Sequence, residues 1–405
     1  MSILSRKRRS APTIHGFVAP GFEGVRQAFE ANFTERRELG AAFCVHLDGE
    51  VVVDLWGGTA DPTTGRAWRE DTPMVVFSAT KGLAAMRMLQ LTEQGVFDPD
   101  QPVAEYWPGF AQQGKEAITG RMILNHRAGL SYLDDPLSIH DFADPTGKVA
   151  AALARQRPHW APDSDQGYAA CSYGAYVGEL HRRLTGESLG TAFRQHVAEP
   201  LGLDTWIGAP PEAIGRAARL VPVGPREVAT RHLPTLLTRR NHEGRLFRRI
   251  VQSKHLVRRA FVNPDMGGFE AVNDPRVIGY ELPWMGALTT ARSLSRAYAA
   301  MVGPVDGVQL VHDDSLAALK PRQTWSVRDR VLQKPVGWSQ GFLKEEARLF
   351  SPNPHSFGHA GAGGSVGWVD PDRRLSMGYV MNRMDWRIRS PRALALAHAT
   401  YAAAT

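Results

Sequence analysis

The sequence predicts an α+β fold in which an antiparallel sheet is flanked by N- and C-terminal helices and a helical lobe is inserted between its early and late strands. Three observations carry this. Strand-like alternation clusters at both ends of the 405-residue chain, over Ala41 to Trp56 and again beyond Val336. Between them, from Ser78 to about Thr290, the pattern is helical with proline-rich connections. The alanine-rich stretch Arg389 to Tyr401 reads as a closing helix.

The elements follow in order. An amphipathic helix is expected over Gly21 to Arg37, and the strands of Ala41 to Trp56 turn at Asp48-Gly49. Strand signals return at Val336 to Phe342, Arg348 to Phe350, Gly364 to Val369 and Leu375 to Met381, with Asp370-Pro371-Asp372 as the last turn. Residues 15–77 and 291–405 would therefore build the sheet region and 78–290 the helical one, in one composite domain. Residues 1–14 read as a flexible basic arm, with Arg6 to Arg9 a frayed terminus rather than a nucleic-acid binder.

With 43% hydrophobic and 22% charged residues, the chain can bury a substantial core. Cys44 and Cys171 are too few for a disulfide framework and sit in apolar surroundings, so buried thiols are expected. No secretory signal precedes Ser5-Arg6-Lys7-Arg8-Arg9 and no run is apolar enough to span a bilayer, which makes the cytoplasm the expected location. The net charge of +7 is uneven, with ten basic residues between Arg226 and Arg259 against Glu227 and Glu243. That stretch is a solvated face, a flap near a pocket mouth, or a peripheral docking surface for an anionic membrane.

The chemistry starts at Phe77-Ser78-Ala79-Thr80-Lys81. A serine hydroxyl needs a neighbour to take its proton, and residues three apart share a helical face, so Lys81 can reach Ser78. A lysine in a dry, electropositive place has a lowered pKa and serves as base. The helix N-terminus would favour the developing alkoxide.

Two further segments follow in order. These are Gly167-Tyr168-Ala169-Ala170-Cys171-Ser172-Tyr173-Gly174 and Gly358-His359-Ala360-Gly361-Ala362-Gly363-Gly364. With these three motifs the chain resembles the serine beta-lactamase and penicillin-binding-protein superfamily, in its class C-like branch, closest to the family VIII carboxylesterases. Leu124 to Leu130, Glu199 to Asp204 and Gly378 to Asn382 extend the likeness over most of positions 15 to 400. The resemblance implies a beta-lactamase/transpeptidase-like fold. It also implies a serine hydrolase acting on carboxylic esters through an acyl-enzyme.

Carried over by position, it makes Ser78 the nucleophile and Lys81 its proton partner. Tyr168 becomes the proton shuttle, as phenol or as phenolate beside Lys81. Tyr173 and Tyr176 read instead as core tyrosines with satisfied hydroxyls. The oxyanion hole would be the amides of Ser78 and Ala362, with His359, Ala360 and Gly361 contacting substrate. His359 stands where lactamases have lysine, either as a hydrogen-bond donor, charged at mildly acid pH, or as a structural residue. Ala170 replaces the asparagine that would bind a lactam side chain, which points to an ester. Trp160, Tyr132 and Trp338 are candidates for an apolar acyl pocket.

Gly363-Gly364-Ser365-Val366-Gly367 also fits a nucleophile elbow, but the strand-like Val-Gly-Trp-Val that follows is the wrong context. His355 and His359 would not converge on an extended segment, and the glycine run lacks a P-loop lysine, so neither a metal nor another cofactor is expected. A small-molecule ester is the expected partner, with no nucleic acid, and the oligomeric state stays open. The remaining alternatives are a beta-lactamase or D-amino-acid peptidase, an acyltransferase, and a non-catalytic binding protein that keeps the fold.

Overall fold

A computed structural model describes residues 12–229, 233, 237, 241–252, 255–346 and 348–404. The basic arm falls mostly outside this range, as do parts of the basic stretch at 230–232, 234–236, 238–240 and 253–254.

Strands run in chain order β1 (Ile14–Val18), β2 (Gly40–Leu47), β3 (Glu50–Asp61), β4 (Arg66–Ala67), β5 (Met74–Val75), β6 (Thr205–Ile207) and β7 (Ala287–Thr289). They continue as β8 (Thr324–Ser326), β9 (Val336–Ser339), β10 (Phe342–Lys344), β11 (Phe357–Ala360), β12 (Val366–Asp370) and β13 (Leu375–Met381). The main sheet is antiparallel in the order β1-β3-β2-β13-β12-β11-β10-β9-β8, with β4 paired to β3. The early strands β1 to β3 thus join the late ones through the β2–β13 pairing, in which Gly378 lies opposite Cys44.

Alternation along β13 sends neighbouring residues to opposite faces. A side chain at Gly378 would collide with the backbone of helix Ala291–Ala299, so glycine lets that helix lie close against the sheet. Tyr379 points to the other face, toward the terminal helices Glu23–Thr34 and Pro391–Ala403, which pack on each other. There a buried ion pair ties the chain ends together. Arg392 donates to Glu38 Oε1 at 2.6 Å and to the Arg383 carbonyl at 2.6 Å, and the Tyr379 hydroxyl donates to Glu38. Burial pushes the Glu38 carboxyl up against the pull of Arg392, and the guanidinium stays charged.

Removing one partner of such a pair leaves an unpaired buried charge, so Arg392→Leu is expected to lower stability by about 3–5 kcal/mol in urea unfolding. A loss below about 1 kcal/mol would mean the pair does not hold the termini.

Several details depart from the sequence reading. Val336 to Phe342 is not one strand but two, β9 and β10, reversing at Gln340-Gly341, where Gln340 has φ of 48° and Gly341 of 87°. Arg348 to Phe350 is a bend rather than a strand, because Glu345 draws the amides of Leu349, Phe350 and Ser351 onto its carboxylate. The mainly helical region from Ser78 to Thr290 also holds two short strands that the sequence pattern does not mark. It supplies β6 and β7, which join β5 in a separate small sheet of order β5-β7-β6.

Among the described residues, Cys44 and Cys171 are both buried free thiols, and no helix is long and apolar enough to cross a membrane. The described part of the basic stretch includes helices His242–Ile250 and Leu256–Val262. Its Arg259 is tied to Asp134 at 2.7 Å and lies over the Tyr132 ring.

Candidate active site

Helix Thr80–Glu93 is buried on every side through Leu91, as befits a core helix, and Lys81 enters it in the first turn. Ser78 lies just ahead, in a 3₁₀ turn over Phe77–Ala79 rather than in the helix proper. Phe77 takes φ of 47°, a costly conformation for a bulky residue that only the surroundings can enforce. Those surroundings are specific. The Val76 amide donates to the Ala287 carbonyl at 3.0 Å, and the Ala287 amide donates to Thr80 Oγ1 at 3.0 Å. Strand β7, missed in the sequence, therefore clamps the turn on both sides of Ser78.

Lys81 is completely buried. Its Nζ lies 3.2 Å from Ser78 Oγ and donates to the carbonyls of Ala170 at 2.8 Å and Trp284 at 3.1 Å. Burial pushes this amine down to about 7, with a small opposing effect from Cys171. A neutral amine has two protons and one lone pair. The two carbonyls take the protons, which leaves the lone pair for the Ser78 hydroxyl.

Tyr168 comes in from the segment before helix Ser172–Thr185, and Lys81 Nζ sits 4.9 Å from its ring centroid. Burial pushes the phenol up, although a hydrogen bond with Ser78 works the other way. The phenolate form considered for Tyr168 is thereby corrected. Burial in a dry site favours the protonated phenol. The ring stacks on Trp338 at 5.6 Å and 9°, with His126 4.9 Å away.

Four successive amides of the segment are held: Gln166 by Asp165 Oδ1, Gly167 by the His126 carbonyl, Tyr168 by Asp329, and Ala169 by His126 Nδ1. His126 and Asp329 escaped the sequence analysis as neighbours of the site, since they bind backbone from distant positions and belong to no local spacing. Trp284 contributes only a carbonyl and leaves no side-chain signal.

The third motif spans β11 and the turn into β12. Ser78, Ala360 and Ala362 are partly exposed, whereas Lys81, Tyr168 and His359 are buried, so the site opens on the serine side. A side chain at Gly361 would strike the Val76 carbonyl and Ser365 Oγ, so only glycine lets this turn lie against the segment leading to Ser78. Ser365 is the brace: its hydroxyl donates to the Val76 carbonyl at 2.7 Å, and its own carbonyl accepts from the Gly361 amide at 2.7 Å. Among the described residues, neither the Ser78 nor the Ala362 amide donates a backbone hydrogen bond.

His359 Nδ1 donates to the Ala360 carbonyl at 2.9 Å, which fixes the neutral tautomer. Burial and the nearby Lys81 push its pKa well down. Of the alternatives offered for it, burial beside Lys81 disfavours the charged form and favours a neutral hydrogen-bonded ring. Tyr173, expected to have a satisfied hydroxyl, is buried with no partner for that oxygen, while Tyr176 donates to the Leu153 carbonyl at 3.2 Å. Trp338 backs Tyr168, whereas Tyr132 stacks on His159 at 3.6 Å and Trp160 donates to the Asp165 carbonyl at 3.3 Å. His355 pairs with Asp372 at 2.7 Å, apart from the buried His359.

The sequence pattern of the family described as Beta-lactamase matches residues 25–401. The chain is 32% identical over 387 residues to the esterase/beta-lactamase LipL of Mycobacterium tuberculosis, covering 92% of this chain and 83% of that protein. Its fold superposes on a crystal structure of a family VIII carboxylesterase with a TM-score of 0.84 at 34% identity, over 96% of this chain and 100% of the other. A penicillin-binding protein homologue from Caulobacter crescentus gives a TM-score of 0.80 at 33% identity, over 96% and 100%.

Proposed function

The chain belongs to the beta-lactamase family, and from that premise we propose that it is a serine carboxylesterase working through an acyl-enzyme on Ser78. The observation that carries this is the Lys81 amine, buried, pushed down to about 7 and 3.2 Å from the serine oxygen. Ser78 Oγ attacks the ester carbonyl carbon and its proton passes to Lys81. The oxyanion is received by the amides of Ser78 and Ala362. As the carbon–oxygen bond to the alcohol breaks, the Tyr168 phenol gives its proton to the leaving oxygen and is replenished from Lys81. Water then attacks the acyl carbonyl, its proton passing through the same pair to Ser78 Oγ as the bond between that oxygen and the acyl carbon breaks and the acid leaves.

Three features favour an ester over a lactam. Ala170 offers a methyl group where an amide side chain would bind a lactam substituent. His359 is neutral and supplies no cation for the lactam carboxylate. Arg389, whose charge is felt at Tyr168, is tied to Glu346 at 2.6 Å. The name of the similar family VIII carboxylesterase supports the same reading, while that of LipL carries both activities. A nitrophenyl short-chain ester is expected to turn over with kcat/KM at least about 10²-fold above a chromogenic cephalosporin, a margin within reach of lost polar contacts. Faster cephalosporin turnover would sink the ester reading.

A further inference from the structure

Asp329 is a buried carboxylate to which the mechanism gives no task. It is fully buried, and its hydrogen-bond partners are neutral N–H groups. Both its oxygens lie 3.1 Å from the Tyr168 amide nitrogen. Oδ1 also accepts from the amides of Val331 and Leu332 at 2.8 Å each, and Oδ2 accepts from Gln166 Nε2 at 3.3 Å. The Arg330 amide adds a rung to the Gln166 carbonyl at 3.0 Å. Four donors converge on one side chain. An asparagine has a single acceptor oxygen, and its amide nitrogen would face donors, so only a carboxylate satisfies all of them.

We propose that Asp329 is a positioning residue, fixing the Tyr168 phenol against Ser78 and Lys81 by holding the Tyr168 main chain. The same hairpin arm supplies Trp338, which stacks on the phenol ring, and Val336, whose carbonyl accepts from Gln166 Nε2 at 3.2 Å. Backbone and ring of Tyr168 are thus gripped by one stretch of chain, 329–338. His126, whose ring also touches Trp338 at 4.2 Å, holds the flanking amides of Gly167 and Ala169. Of the groups gripping this segment, Asp329 alone binds the amide of Tyr168 itself. Its negative charge also helps keep the phenol protonated, as proton donation to the leaving alcohol requires.

The inference rests on the relay role given to Tyr168 above. The test is a double-mutant cycle of Asp329→Asn and Tyr168→Phe, followed by kcat and KM on a nitrophenyl ester and by thermal melting of all four proteins. Asp329→Asn is expected to lower kcat about 30- to 100-fold with KM within about twofold, as displacement of one reacting group does. In the Tyr168→Phe background the same change should cost less than about threefold, because the group being positioned is gone. The melting loss should be the same in both backgrounds, which separates positioning from plain folding. Should Asp329→Asn fail to accumulate, Asp329→Ser, which keeps one small acceptor, goes through the same cycle. An equal activity loss in both backgrounds, or unchanged kcat in Asp329→Asn, would overturn the proposal. Full activity of Tyr168→Phe by itself would instead refute the relay role on which it rests.

Discussion

Replacing Lys81 by methionine is expected to lower kcat/KM by between about 10²- and 10⁴-fold and, in the same protein, to remove a pH dependence of stability. The activity loss follows from the base role proposed for the amine, which would take the Ser78 proton, whereas methionine fills similar space without a lone pair of that strength. In the parent enzyme, activity should rise with pH through about 7 as the buried amine loses its proton. The stability effect has a definite sign. In the unfolded chain the lysine holds its proton up to its ordinary value of 10.5, whereas in the fold it loses it above about 7. Between those values the unfolded state binds more protons, so stability rises with pH, and the full cost of burying the charge, about 5 kcal/mol, applies only below 7. Raising the pH from 7 to 9 should therefore stabilise the parent relative to Lys81→Met by about 2 kcal/mol in urea unfolding. A constant difference between the two proteins would mean that Lys81 is not held in a dry site.

The second large effect separates two serines that lie on adjoining segments. Ser78→Ala is expected to lower kcat/KM by at least about 10⁴-fold, because the proposed acyl-enzyme step then loses its nucleophile. Ser365→Ala should keep activity within about tenfold and lose roughly 1 kcal/mol of stability, the usual worth of one buried hydrogen bond. The Ser365 hydroxyl is spent on the Val76 carbonyl at 2.7 Å, and its residue is fully buried at the head of β12. A strand rather than a helix follows it, so the geometry of an elbow is missing despite the glycine spacing. The reverse pattern of losses would move the nucleophile to Ser365.

What could be read in the chain and what could not divides along physical lines. The Ser78 and Lys81 spacing is local, and a three-residue separation on one turn brings the two groups together whatever surrounds them. The long alternating runs of β2, β3, β12 and β13 were equally visible, since period-two patterning over five or more residues is hard to mistake. Strands of two or three residues, such as Met74–Val75 and Ala287–Thr289, carry no periodicity, and so the small sheet that clamps the serine turn went unseen. The carbonyls of Ala170 and Trp284 that hold Lys81 are common to all residue types and mark no position. The alternatives for His359 stay open in the sequence because what disfavours its charge is burial beside Lys81, a property of the folded chain alone. Asp329 lies 161 residues from the amide it binds, beyond any motif.

The most direct measurement is intact-mass analysis after treatment with a fluorophosphonate, with the modified peptide sequenced. One adduct per chain on Ser78, absent from Ser78→Ala and slowed in Lys81→Met, is the predicted result. An adduct on any other residue, or an unlabelled enzyme that still hydrolyses the ester, would contradict the account.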